Sequence, residues 1–233
     1  MIVYHFIFDD GARFRFEVDE EGDTSVEPEG ETFPEWVLLD QGKCAGCNLP
    51  EGSRKTCPAA LSIQPVIEAF GKRISHEHVK VIVVIGGVKV EGEMSAQGAV
   101  RSLMGLRLAL SSCPVLGMLR PMARFHVPFA TQAHALFRFV GMTLMAQHFR
   151  REAGLPASSD LSRLLELIGR LHEVNHKLAG RIKCAAEKDA AINSLVNLDT
   201  LAALLEVEID ADLDLLKSCF KSYLDGAGEE VVS

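Results

Sequence analysis

The first eighteen residues alternate. Tyr4, Phe6 and Phe8 fall on one face of an extended chain, Asp9-Asp10-Gly11 interrupts, and Phe14, Phe16 and Val18 then alternate with Arg13, Arg15 and Glu17. A period of two broken by polar residues and a glycine predicts a β-hairpin. A second hairpin follows further on. Val79 to Ile85 is β-branched on both faces, Gly86-Gly87 makes the turn, and Val88, Val90 and Met94 alternate with Lys89, Glu91 and Glu93. A strand apolar on both faces is expected in the middle of a sheet, and its alternating partner nearer an edge.

Between the hairpins, a helix is predicted from Cys57-Pro58 to about Arg73. From Ala96 onward the period is helical, with breaks expected at Cys113-Pro114, Val127-Pro128, Gly154 to Ser159, Asn197 to Asp199 and Ile209 to Asp212. The expected fold is α+β: a roughly four-stranded antiparallel sheet, made of two hairpins with an inserted helix, followed by a C-terminal multi-helix layer. Residues 1–95 are expected to form a β-rich subdomain with a cysteine loop, and residues 96–233 a helical subdomain packed against it.

Composition narrows the class. A chain of 233 residues that is 48% apolar can bury a core without disulfide staples. Its 24 Lys plus Arg against 32 Asp plus Glu leave a net charge of −8, which argues against general nucleic-acid or acidic-membrane binding. The apolar run Ile2 to Phe8 has no basic residue before it and ends in two aspartates, unlike a signal-peptide core. In the middle of the chain, the uncharged stretches Leu108 to Leu119, Phe125 to Phe137 and Phe139 to Phe149 are shorter than the roughly 18 residues of a membrane span. A cytoplasmic location with reduced thiols is the expectation.

The six cysteines carry the clearest chemistry. Cys44-Ala45-Gly46-Cys47 lies among small and turn residues, and Cys57 follows shortly after. A Cys-x-x-Cys turn lets two thiolates reach one tetrahedral ion, with further ligands supplied from elsewhere. Cys113 is the candidate fourth ligand, because Cys113-Pro114 repeats Cys57-Pro58 and each is followed by a proline at the same offset, Pro121 and Pro65. Both cysteines are expected to cap a helix whose N-terminal N–H groups favour a thiolate. His5, His76, His78 and His126 are substitutes. Zinc is the first expectation and an iron–sulfur cluster the alternative. Cys184 and Cys219 sit at apolar-face positions of helices and are expected in the core.

Two other patterns bear on function. Met94 to Arg151 spans 58 residues with seven arginines and no lysine, aspartate or glutamate, so the segment is +7 and the remainder −15. Arginine's planar fork suits carboxylate and phosphate, which makes Arg120 and Arg124 a candidate pair for an anionic small molecule or a protein partner. The competing expectation is internal pairing with Glu152, Asp160, Glu166 and Glu173. The second pattern is His172-Glu173-Val174-Asn175-His176. It matches the His-Glu-x-x-His arrangement in which two histidines one helical turn apart hold zinc and the glutamate acts as base, with Glu206 or Glu208 available as a third ligand. The run Leu161, Leu164, Ile168, Leu171, Leu178 and Ile182 also places this motif on an ordinary amphipathic helix. The reading that best unites these signals is a cytoplasmic binding or regulatory protein stapled by a cysteine-held metal. An iron–sulfur redox protein and a zinc hydrolase are the alternatives.

Overall fold

The computed structural model describes residues 1–183 and 185–225. Strands β1 (Ile2–Phe8) and β2 (Arg13–Val18) form the first hairpin, in register from Ile2 opposite Val18 to Ile7 opposite Arg13. Its turn works as the sequence implies: Gly11 takes a φ of 86°, and Asp10 accepts the Ala12 N–H at 2.9 Å. After helix α1 (Pro58–Phe70) come β3 (His78–Ile85) and β4 (Val88–Ser95). The strand order is β2-β1-β3-β4, antiparallel throughout, so β3 is central and β4 lies at an edge. The fold is α+β.

One face of the sheet is buried. Ile2, Tyr4, Phe6, Val79, Val81 and Val83 are fully covered. Phe70, the last residue of α1, sets its ring centroid 4.9 Å from those of Phe6 and Phe14. Helix α2 (Ala96–Ala109) packs beside α1, and its Ala99, Val100, Leu103 and Met104 are fully buried. Past it lie α3 (Arg120–Arg124), α4 (Gln132–Glu152), α5 (Ser162–Ile182), α6 (Ala190–Asp210), and the single turns α7 (Asp214–Lys217) and α8 (Lys221–Leu224).

The chain forms two compact units. One comprises residues 1–129 and 169–200, the other residues 130–168 and those from 201 onward. The first unit holds the sheet, α1, α2, α3 and the facing ends of α5 and α6. In the second, α4 begins in a capping box: Thr131 accepts the His134 N–H at 3.3 Å, and His134 Nδ1 accepts the Thr131 N–H at 3.3 Å.

Two expected helix boundaries are corrected. Asn197 to Asp199 does not break a helix, since α6 runs through it from Ala190 to Asp210. The fully buried Ala190, Ala191 and Leu195 tie down this stretch, and packing outweighs the turn preference of Asn and Asp. Nor does Cys113-Pro114 open a helix. It leads into a 3-10 turn at Leu116–Leu119, and only then does α3 start, with Pro121 in its first turn. Helix α6 is long and apolar enough to cross a membrane by length and composition, with a mean hydropathy of 1.3.

Candidate metal centre

The cysteine loop is closed by its own backbone. Cys57 N–H donates to the Val37 carbonyl at 2.8 Å, Leu39 N–H donates to the Lys55 carbonyl at 2.9 Å, and Leu38 bridges Thr56. Glu27 secures the returning limb by accepting the Thr56 N–H at 2.7 Å and the Thr56 hydroxyl at 2.6 Å. Arg181 of α5 holds the outgoing limb. Its side chain is buried, and its guanidinium donates to the carbonyls of Trp36 (2.8 Å), Leu38 (2.7 Å) and Leu39 (3.1 Å). Three carbonyls that the loop leaves without strand partners are thus satisfied by one cation. Arg181→Met is expected to cost about 2–3 kcal/mol in urea unfolding, because it strands the Trp36 and Leu39 carbonyls and leaves that of Leu38 with only the Gln41 N–H at 3.4 Å. An unchanged midpoint would mean that water replaces the guanidinium there.

Within the closed loop, Cys47 N–H donates to the Cys44 carbonyl at 3.0 Å, forming the expected Cys-x-x-Cys turn. Cys44, Cys47, Cys57 and Cys113 all line one cavity of about 30 Å³. They come from three places: the loop, the cap of α1, and the turn after α2. Cys57 occupies the N-cap of α1, its side chain makes no capping hydrogen bond, and the residue lines the cavity. Cys113 is buried. Burial pushes its thiol up, while the N–H groups of Leu116 and Val115 pull it back down. The 3-10 turn therefore supplies the N–H donors expected from a helix start. Cys44 is pushed up to about 11 by burial first, and then by the negative charge that Cys57, Cys113, Glu173 and Cys47 bring close.

A residue the sequence reading assigned elsewhere also reaches this cavity. Glu173 of α5 accepts the Gly46 N–H at 3.2 Å and so caps the Cys-x-x-Cys turn. His172, one residue earlier, points to a different neighbour: its Nδ1 lies 2.7 Å from Oδ1 of Asp199 on α6. His176 is exposed. Consecutive helix positions are turned about 100° from one another, which separates the motif's glutamate from its histidines. Lys43, Arg170 and Lys177 add positive charge to the cavity wall. Among the described residues, no three His, Cys, Asp or Glu side chains already converge as a ligand set. The thiols share the cavity without being drawn onto one point.

Other candidates have other partners. His5, His76, His78 and His126 do not line the cavity. His126 Nε2 lies 2.5 Å from the Tyr4 hydroxyl, which also meets Ser102 Oγ at 2.8 Å, and burial pushes the Tyr4 phenol well above its ordinary range. Glu208 accepts from Gln132 at 3.5 Å. Cys219, expected in the core, is exposed in a 3-10 turn at Ser218–Phe220, where the helical pattern used to place it has already ended. Cys184 lies outside the described residues.

Three of the seven arginines in the acid-free segment donate to backbone oxygen. Arg120 donates to the carbonyls of Gly22 (2.9 Å) and Leu110 (3.0 Å), Arg107 to that of Ser62, and Arg150 to that of Pro156 at 2.8 Å. Arg124 pairs with Glu21 at 2.7 Å, an acid of the N-terminal loop and not of the C-terminal helices. Arg120 and Arg124 together anchor that acidic loop at Gly22 and Glu21. Burial pushes Arg107 down to about 10.

No curated protein and no solved structure matches this chain. A family model described as a domain of unknown function does match, over residues 2–221, and with nearly the whole sequence covered the chain belongs to that family, DUF6901.

Proposed function

We propose that this protein is a metal-stapled binding or regulatory protein in which Cys44, Cys47, Cys57 and Cys113 hold one structural zinc ion. The observation that carries this reading is that four cysteines, from three separate segments, line a single cavity of about 30 Å³. Four sulfurs around one ion is the closed tetrahedral arrangement of structural zinc. Four thiolates about zinc carry two net negative charges. The cationic side chains of Lys43, Arg170 and Lys177 offset them.

The decisive measurement is elemental analysis with a visible spectrum of protein purified without oxygen. Close to one zinc per chain and no visible absorption is the expected result. Iron with broad visible absorption would replace zinc by a cluster. A variant carrying His172→Ala and His176→Ala is expected to keep its zinc. Loss of zinc from that variant, with the cysteines intact, would turn the reading toward a hydrolase, and protein without any metal would end it.

A further inference from the structure

The sheet buries only one face. On the other, the register aligns three rows across the four strands: Glu17, Val3, Val84 and Lys89; Arg15, His5, Ile82 and Glu91; Arg13, Ile7, Lys80 and Glu93. The middle columns are mostly apolar and the outer columns charged. Over this face lies a cavity of about 330 Å³, lined by Ile7, Ile82 and Val84, by His5, Phe6 and Phe14, and by Arg13, Arg15 and Lys89, with no acidic residue in its lining. Its size is at the lower end of small-molecule sites.

The charges around it are unequal. Arg15 is paired with Glu17, and Lys89 with Glu91 at 2.9 Å. Arg13 is exposed and has no hydrogen-bond or ion-pair partner among the described residues. One uncommitted guanidinium beside an aliphatic floor matches one negative charge on an apolar body. We propose that this face binds a small monocarboxylate with an apolar chain. The carboxylate sits in the fork of Arg13 and the chain lies over Ile7, Ile82 and Val84. The site is separate from the cysteine cavity and does not depend on it.

Titration of the full chain with sodium octanoate, followed by methyl NMR, tests this. Saturable shifts at Ile7, Ile82 and Val84 are expected, with acetate and octanol each binding at least tenfold more weakly. Arg13→Gln should weaken octanoate about tenfold or more, and Arg13→Lys should recover part of the loss, since it restores the charge without the fork. Overlaid spectra outside the face, before ligand is added, establish that these variants are folded. The proposal is overturned if octanoate gives no saturable shift, if Arg13→Gln binds it as wild type does, or if octanol binds equally well. It is also overturned if the same methyls shift with protein concentration alone, which would place a second copy of the chain on this face.

Discussion

Replacing Cys44 and Cys47 together by serine is expected to abolish metal binding and to lower the melting temperature by about 10 °C. The loop between Leu39 and Lys55 has little apolar anchorage of its own. Its exposed positions outnumber its buried ones, and it is held at its ends by backbone hydrogen bonds, Glu27 and Arg181. A structural ion would tie its tip to α1 and to the turn after α2, and in such sites binding energy is folding energy. A loss of about 3 kcal/mol corresponds to roughly 10 °C for a chain of this size. A chelator should lower the wild-type melting temperature by a similar amount and leave the double variant unmoved. A double variant that kept its metal and its melting temperature would eliminate the cysteine site.

Phe70→Ala is expected to cost about 4 kcal/mol, through the core alone. The ring is fully buried at the end of α1, with centroids 4.9 Å from Phe6 and Phe14, 5.7 Å from Phe16 and 6.2 Å from Phe8. Truncation leaves a cavity bounded by four other rings on two strands, which cannot collapse without bending the hairpin. Phe70→Leu should cost less than half as much. Urea unfolding would show the change as a shifted midpoint at constant slope. The folded variant should still bind metal, since Phe70 does not line the cysteine cavity. A cost below about 1 kcal/mol would mean that the surrounding rings repack into the space.

Much of the fold was legible along the chain because it rests on short-range periodicity. Alternation marked both hairpins, Gly11 and Gly86-Gly87 marked their turns, and Cys57-Pro58 marked the start of α1. Each of these depends on neighbours a few residues apart, where residue type limits the backbone directly. The spacing of Cys44, Cys47 and Cys57 likewise needed only a turn and a nearby cap. Cys113 was found through its echo of Cys57. The echo was local in form and did not yield a second helix, yet the residue reaches the same cavity.

What lay beyond local reading depends on contacts between distant parts of the chain. Glu173 stands 127 positions from Gly46, and Arg181 stands 145 from Trp36. No spacing rule connects them, since their meeting requires α5 to be laid beside the loop. The arginines show the same limit. Their charge and freedom from acids were plain in the composition, which suggested carboxylate partners, but several of them satisfy carbonyls that only the folded loops leave open. Asp199 illustrates it once more: a turn-forming residue in isolation, it sits inside α6, where burial of the flanking residues secures the helix and His172 lies beside its carboxylate. Residue types and their periods are enough to specify strands, turns, caps and the kind of chemistry available. Which donor meets which acceptor is settled when packing brings remote segments together, because that step depends on the burial of the whole apolar surface and not on any short run of residues.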